Sequence, residues 1–189
     1  MKKALFILVC VYLGISQIFA QNMRVVSNGT QQVTLKIDAN TLQVSDFTNE
    51  AGTFSKVSMD GYLSSTEVGM PQLPVYTQMI EIPLCGNIHV TANASSIRTY
   101  NAAELGITNP IFPAQPAYHK SFVGDRSFVK NEAVYNTNAF CGNELARVEK
   151  NGIMRCNNLA TVYISPVQYN PVTNEIRIYD DITVEVTYD

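Results

Sequence analysis

The sequence predicts an all-β protein, an antiparallel β-sandwich with one long irregular loop and little helix. Three observations lead to this fold class. Many short segments are rich in β-branched and aromatic residues, turn-forming residues separate them at short intervals, and apolar residues with helical spacing are scarce. A series of short strands without internal repeats is typical of sandwiches with antiparallel pairing.

The chain begins with the composition of a secretory signal peptide. Two lysines precede an apolar stretch, residues 4–18, and the small residue Ala20 follows it. This stretch is too short to span a bilayer and has the flanks of a cleaved signal. We therefore predict a signal peptide at residues 1–20 and a secreted or periplasmic domain formed by residues 21–189, a length that suits one domain.

Charge and cysteine content limit the classes of function. The formal net charge is −3, so the chain has no basic excess to attract nucleic acid or an anionic membrane, and we expect neither partner after signal cleavage. Cys85, Cys141 and Cys156 remain in the mature chain. At most one disulfide can join two of them, and the sequence does not say which two. Their spacing does not match a metal site, so we predict neither a metal nor another cofactor.

The N-terminal half contains segments with the alternation of half-buried strands. Asn28 and Gly29 predict a tight turn before the first of them. Two prolines in residues 69–75 remove backbone donors, so this segment is expected to cross an edge or corner of a sheet. One helical turn is expected at residues 102–105. Strands are predicted at residues 31–38, 42–47, 54–59, 75–83, 87–92 and 96–100.

Residues 109–126 interrupt this pattern with three prolines, one glycine and no period of two or 3.6 residues. A long irregular segment in a compact domain is usually either mobile or functional. We expect this segment to be the least ordered internal region of the isolated domain.

Strand-like sequence returns after the irregular segment. Residues 127–135 have a β-like composition. Asn151 and Gly152 predict a type I′ hairpin turn between residues 145–148 and residues 153–156.

The C-terminal stretch shows the clearest strand pattern. Residues 161–165 and 175–188 are rich in β-forming residues, and turn formers occupy residues 169–174 between them, which predicts an antiparallel hairpin. Apolar side chains on every second position share one face of a strand. The face expected to enter the core consists of Ile176, Ile178, Ile182, Val184 and Val186.

Motifs of catalysis are not found in the sequence. It contains no glycine-rich phosphate loop, no Gly-x-Ser-x-Gly elbow and no His-Glu-x-x-His pair, and its carboxylates are scattered through strand edges and turns. We predict no catalytic residue. On these grounds alone the chain is a secreted all-β domain for binding or packing.

Six segments stand out by their order and spacing: GTFSKVS at 52–58, GMPQLP at 69–74, CGNEL at 141–145, GIMR at 152–155, PVQYNPVTNEIRIY at 166–179 and ITVEV at 182–186. Together they closely resemble the N-terminal propeptide of gingipain-type cysteine peptidases. The resemblance covers essentially the whole mature chain and is nearest to the lysine-specific branch of the family.

The resemblance implies a secreted zymogen in which an all-β prodomain inhibits a catalytic domain and assists its folding. The catalytic histidine and cysteine of such a precursor would follow Asp189, so no catalysis is implied for these 189 residues. The implied partner is the catalytic domain of a gingipain-like cysteine endopeptidase, in cis or in trans.

The resemblance also implies a site. Residues 115–121 (QPAYHKS) are similar to the inhibitory loop of the lysine-specific branch, which places Lys120 as the side chain that occupies the specificity pocket. Residues 122–127 depart from the family spacing by one deletion, so Arg126 stays an alternative. The other loop residues implied are Tyr118, His119 and Ser121.

Two further functions stay open at this point. One is a stand-alone secreted peptidase inhibitor that acts in trans. The other is a noncatalytic adhesion or carbohydrate-binding sandwich, with Tyr76, Tyr100 and Tyr118 as an aromatic platform. The chain has no tryptophan, which argues against a sugar-stacking surface.

Overall fold

The computed structural model describes residues 23–189, so the predicted signal peptide lies outside the described residues. The described part is all-β, as predicted, with one 3₁₀ turn, Ala102–Leu105, and one short helix, α1, Glu132–Tyr135. No helix within it is long and apolar enough to cross a membrane. The strands are β1 (Met23–Asn28), β2 (Gln32–Ile37), β3 (Leu42–Asn49), β4 (Gly52–Met59), β5 (Leu63–Ser64), β6 (Pro74–Ile82), β7 (Ile88–Asn101), β8 (Ala146–Met154), β9 (Asn157–Ile164), β10 (Val167–Asn170) and β11 (Glu175–Tyr188).

Strand β11 lies at the centre of a five-stranded antiparallel sheet. One of its edges pairs with β7 from Glu175 to Tyr188. Its other edge pairs first with β10 and then, from Ile182 to Thr187, with β2, which carries β1 on its outer side. The remaining strands form an antiparallel sheet in the order β5-β6-β9-β8 and a two-stranded sheet of β3 and β4.

Two hydrophobic clusters fill the space between these sheets, and β11 contributes to both. The first cluster joins β1, β2 and the C-terminal half of β11 to β8 and β9, and the second joins β4 to β10 and the N-terminal half of β11. The prediction for β11 is confirmed, because the side chains of Ile176, Ile178, Ile182, Val184 and Val186 are all buried. The buried face of β11 therefore links the two cores.

The predicted hairpin partner of β11 is wrong. Residues 161–165 belong mostly to β9, which pairs with β6 and β8 in the other sheet. The strand that pairs with β11 across the turn is β10, in which Asn170 lies opposite Glu175. The chain changes sheets between β9 and β10 at Pro166, which cannot donate a ladder hydrogen bond and whose carbonyl accepts one from Tyr179.

The predicted turn at Asn151 and Gly152 is also wrong. Both residues lie inside β8, where the register shifts between Lys150 and Gly152. The β8–β9 turn is formed by Arg155 and Cys156, whose φ angles of 51° and 71° are those of a type I′ turn. Register is set by the buried face of the strands rather than by local turn preference, and here the buried face of β9 includes Ala160, Val162 and Ile164.

The other strand predictions are confirmed with small changes. Residues 87–92 and 96–100 form one continuous strand, β7. Residues 127–135 are not a strand, because the Asn131 side chain accepts a hydrogen bond from the Val134 amide and starts α1. Strand β1 was not predicted, since all of its residues after Met23 are exposed and show no buried face.

Candidate functional site

The irregular segment divides into a packed part and an exposed part. In the packed part Ile111 and Ala114 are buried. The Phe112 amide donates a hydrogen bond to the Ser55 carbonyl, and the Phe112 carbonyl accepts one from the Gln72 amide. The Ala114 amide donates to the Met70 carbonyl. Residues 119–127 are all exposed. The prediction of a segment without regular structure is confirmed, and its exposed part is confined to the C-terminal side.

A glutamine side chain closes the base of the exposed part. The Oε1 atom of Gln115 accepts a hydrogen bond of 2.9 Å from the Val129 amide, and its Nε2 donates one of 2.8 Å to the Val129 carbonyl. These two bonds imitate one pair of a β-ladder. We call residues 115–129 the docking loop, after the role that the family resemblance implies for it. Gln115 and Val129 join its two ends.

Aromatic rings fix the docking loop to the two-stranded sheet. Phe128, near the end of the loop, lies with its ring 5.4 Å from that of Phe54 and 6.0 Å from that of Phe112. Phe112 in turn packs edge-on against Phe47 at 5.0 Å, and Lys56 Nζ lies 3.6 Å from the Phe47 ring centre. Aromatic pairs at such centroid distances contribute about 0.5–1.5 kcal/mol each beyond their area burial. The loop therefore starts and ends on a fixed support.

The tip of the docking loop is a β-turn of residues 119–122. The Phe122 amide donates a 2.9 Å hydrogen bond to the His119 carbonyl, which puts Lys120 and Ser121 at the two central positions. His119 Nδ1 lies 2.7 Å from the Ser121 hydroxyl oxygen and accepts a longer hydrogen bond, 3.4 Å, from the Ser121 amide. The turn is therefore closed by both main-chain and side-chain contacts.

The two basic side chains of the loop have different surroundings. Lys120 is exposed at the corner of the turn, and its ammonium has no ion-pair or hydrogen-bond partner within residues 23–189. The guanidinium of Arg126 lies 5.8 Å from the centre of the Tyr118 ring. That ring is stacked on Phe122 at 4.7 Å. Arg126 is thus already engaged within the loop.

Helix α1 contacts the packed part of the irregular segment, before the docking loop begins. The Tyr135 hydroxyl donates a hydrogen bond of 2.5 Å to the Ile111 carbonyl. Burial raises the pKa of Tyr135 well above its ordinary value, so this hydroxyl stays a donor. The backbone amide of Asn131 donates to the Gly69 carbonyl. This bond connects the segment after the loop to the proline-containing segment, residues 69–75.

Cys85, Cys141 and Cys156 are free cysteines, so none of the three is in a disulfide within the described residues. Cys85 and Cys156 are exposed thiols, and Cys141 is half-buried. Burial raises the pKa of Cys141 to about 11, and its Sγ donates to the Tyr169 carbonyl at 2.9 Å. No group of three metal-binding side chains occurs in residues 23–189.

The three tyrosines proposed for an aromatic platform do not share a surface cluster. Tyr76 packs against the first hydrophobic core and Tyr100 against the second. Tyr118 lies in the docking loop, stacked on Phe122. The three rings therefore pack in three different places.

Some residues of the site were not identified from the sequence. Gln115, Phe122 and Phe128 hold the docking loop in place, yet nothing in the local pattern marks them. The contact of Gln115 with Val129 depends on two residues that only the folded base brings together. The residues predicted for the loop, Tyr118 to Ser121, do lie together at its tip.

Comparison with known proteins gives concordant matches. The model of the family Propeptide_C25 matches residues 20–189. Lys-gingipain HG66 of Porphyromonas gingivalis is 28% identical over 200 residues, which cover 100% of this chain and 12% of that protein. Gingipain R1 of the same species is 25% identical over 197 residues, 99% of this chain and 11% of that protein. The chain thus spans about one eighth of the length of these relatives.

Solved structures agree with the fold. A structure describing the zymogenic latency of gingipain K from P. gingivalis superposes with a TM-score of 0.78 at 28% identity, over 88% of this chain and 92% of that one. The complex of RgpB pro- and mature domains from the same species gives a TM-score of 0.75 at 21% identity, over 89% and 86% of the two chains. The chain belongs to the Propeptide_C25 family and is a gingipain-type propeptide, without a peptidase domain among its 189 residues.

Proposed function

We propose that this chain is the prodomain of an exported gingipain-like cysteine endopeptidase. It inhibits the catalytic domain and assists its folding by docking on it, and the docking loop places Lys120 in the specificity pocket. The observation that carries this proposal is the exposed turn of residues 119–122, which stands on a base fixed by Gln115 and by the Phe128 aromatic contacts.

Preorganisation is the physical reason why such a loop suits inhibition. A side chain that enters a pocket from a mobile segment loses conformational entropy on binding, and a loop already held in one shape loses less. The Lys120 ammonium is a compact charge on a long stem, and it is exposed at the corner of a closed turn. An acidic pocket of a lysine-specific enzyme would accept it in place of a substrate lysine.

Lys120 is a better candidate than Arg126 on the same geometry. The Arg126 guanidinium packs on the Tyr118 ring, so it would have to give up this contact before entering a pocket. An exposed cation–π contact contributes about 0.5–1 kcal/mol. Lys120 has no such contact to lose within the described residues.

The partner follows from the relatives rather than from this chain alone. The relatives are gingipains, and one solved neighbour is a complex of pro- and mature domains. We propose the same kind of association here, with the catalytic domain supplied in cis by a longer precursor or in trans by a separate protein. Sequencing the gene downstream of the codon for Asp189 distinguishes the two, since an in-frame domain with a catalytic histidine and cysteine means cis.

Release from the partner is not expected to use Arg177, although it is the last basic residue of the 189. Arg177 lies inside β11, paired with Thr99 on one side and Gln168 on the other. Its guanidinium is also 3.9 Å from the centre of the Phe140 ring. A peptidase needs a segment whose main-chain edge is accessible, and both edges of β11 are already paired at this position.

The proposal is tested by the inhibition constant of residues 21–189 against a lysine-specific gingipain-type peptidase. Lys120→Ala should weaken inhibition by about 2–5 kcal/mol, because a charge desolvated and paired on binding would be lost. The matched control is Arg126→Ala, which removes the other basic residue of the loop. Circular dichroism checks that each variant is folded. An unchanged inhibition constant for folded Lys120→Ala would rule out the pocket assignment.

A further inference from the structure

The proposed function leaves open how the docking loop could occupy the active site without being cut quickly as a substrate. A lysine in the specificity pocket of a lysine-specific enzyme puts its own carbonyl next to the catalytic nucleophile. In this loop that carbonyl belongs to the Lys120–Ser121 peptide bond. The inference below rests on the proposed function and concerns the fate of this bond.

The contacts at the loop tip all connect the two sides of the Lys120–Ser121 bond. The His119 carbonyl is joined to the Phe122 amide at 2.9 Å, and His119 Nδ1 is joined to both the hydroxyl and the amide of Ser121. The Tyr118 ring is stacked on the Phe122 ring with 4.7 Å between centroids and an angle of 25°. We call these contacts the clasp.

A closed turn is a poor substrate for two physical reasons. Hydrolysis requires the attacked carbonyl and the nucleophile to align as reacting atoms, and a rigid turn resists the adjustment that this alignment needs. Moreover, if the bond were cut, the clasp would hold the new carboxylate and amine close together, which favours rejoining over departure of either end.

We infer that the clasp of Tyr118, His119, Ser121 and Phe122 keeps the Lys120–Ser121 bond intact and thereby makes the loop an inhibitor instead of a substrate. Without the clasp the enzyme thiolate attacks the Lys120 carbonyl carbon, and the bond to the Ser121 nitrogen breaks. That nitrogen leaves as an amine after taking up a proton. Water then hydrolyses the thioester, which frees the Lys120 carboxylate and the enzyme thiol.

A glycine next to the clasp is consistent with this role. A Cβ atom built on Gly124 would lie 2.6 Å from Phe122 Cζ, well inside van der Waals contact. A larger residue at this position would require the Phe122 ring, the far end of an exposed side chain, to shift from its present place beside Tyr118. Gly124→Ala therefore disturbs the clasp without removing any of its side chains.

The experiment measures cleavage at Lys120–Ser121 by mass spectrometry when residues 21–189 are incubated with a lysine-specific gingipain-type peptidase. Loss of the ring stack should raise the cleavage rate of Phe122→Ala about tenfold over wild type, since an aromatic pair of this kind is equivalent to about that factor. Gly124→Ala should also be cut faster. Phe122→Tyr, which keeps a stacking ring, should restore the wild-type rate.

Phe122 is 42% exposed and belongs to neither hydrophobic core, so these variants keep the fold. Equal cleavage rates at Lys120 for wild type, Phe122→Ala and Gly124→Ala would overturn the role of the clasp, as would a Phe122→Ala protein that is never cut there. The initial inhibition constant is a separate readout. A wild type that does not inhibit contradicts the proposed function, while the ratio of cleavage rates still tests the clasp.

Discussion

Strand β11 and the docking loop are held in shape by different means. Strand β11 is shaped by main-chain pairing along both edges and by a buried face that enters two cores. The docking loop, residues 115–129, has no ladder of its own and is shaped by side chains. These are the Gln115 amide bonded to Val129, here called the clamp, the rings that pack on Phe128, and the stack of Tyr118 on Phe122. An irregular backbone is therefore compatible with a preorganised tip, and the exposed lysine is presented by the less regular of the two regions.

This difference predicts the largest effect for a truncation in β11. Ile182 is fully buried in the first core. Ile182→Ala removes apolar contacts and leaves a cavity, so the free energy of unfolding should fall by about 2–5 kcal/mol. Urea denaturation followed by circular dichroism measures this change. A loss as small as that of a surface substitution would mean that Ile182 is not packed in the first core.

A second prediction concerns Cys141, whose backbone forms an antiparallel bridge with Tyr169 of β10. Burial raises the pKa of its thiol from 9.0 to about 11. At pH 8 iodoacetamide should therefore modify it about a hundredfold more slowly than a thiol of ordinary pKa, and the rate should increase as pH rises towards about 11. The exposed Cys85 and Cys156 should be modified first. Equal modification rates for all three cysteines would show that the Cys141 thiol is not buried.

The raised pKa of Cys141 also makes the stability of the folded protein depend on pH. The folded state favours the neutral thiol of Cys141, because its pKa is raised by burial. Its stabilising contribution is complete below about pH 9 and is lost as pH increases past about 11. A Cys141→Ala variant should lack this part of the alkaline decline.

A third prediction tests the base of the docking loop. Gln115→Ala removes both hydrogen bonds to Val129, each worth about 1 kcal/mol. Inhibition should weaken by about tenfold or less, because the loop tip loses its fixed base, and the free energy of unfolding should fall by no more than about 2 kcal/mol. Gln115→Glu is a matched control that keeps the acceptor for the Val129 amide and loses the donor. Unchanged inhibition by Gln115→Ala would mean that the clamp does not preorganise the tip.

The smallest effect is expected for Arg126. Its guanidinium packs on Tyr118 at the surface, so Arg126→Ala should change the inhibition constant by less than about fivefold through a slightly looser ring stack. Arg126→Lys keeps a cation for the ring and should be nearer to wild type. If Arg126→Ala abolishes inhibition while Lys120→Ala does not, the residue that enters the specificity pocket is Arg126 and not Lys120.

For strand β11, the sequence predicted which face is buried but not which strand pairs with it. Alternation alone identified the buried face of β11, because a period of two is a local property. Its hairpin partner could not be chosen between residues 161–165 and β10, since both are β-rich and the change of sheet occurs between them. The turn at Arg155 and Cys156 was hidden for a related reason, as the register depends on contacts across sheets.

The docking loop was predictable as a place but not as a structure. Its prolines marked residues 109–126 as irregular, and the family resemblance pointed to Lys120. The clamp from Gln115 to Val129 and the stack of Tyr118 on Phe122 depend on how the two ends are anchored. No periodicity reports such contacts, because they join single side chains rather than faces.

The most direct test of the account is a crystal structure of residues 21–189 bound to the catalytic domain of a lysine-specific gingipain-type peptidase. The account predicts the Lys120 ammonium in the specificity pocket, with the turn of residues 119–122 closed and the Lys120–Ser121 bond intact. A pocket occupied by Arg126, or by no side chain of the docking loop, would contradict it.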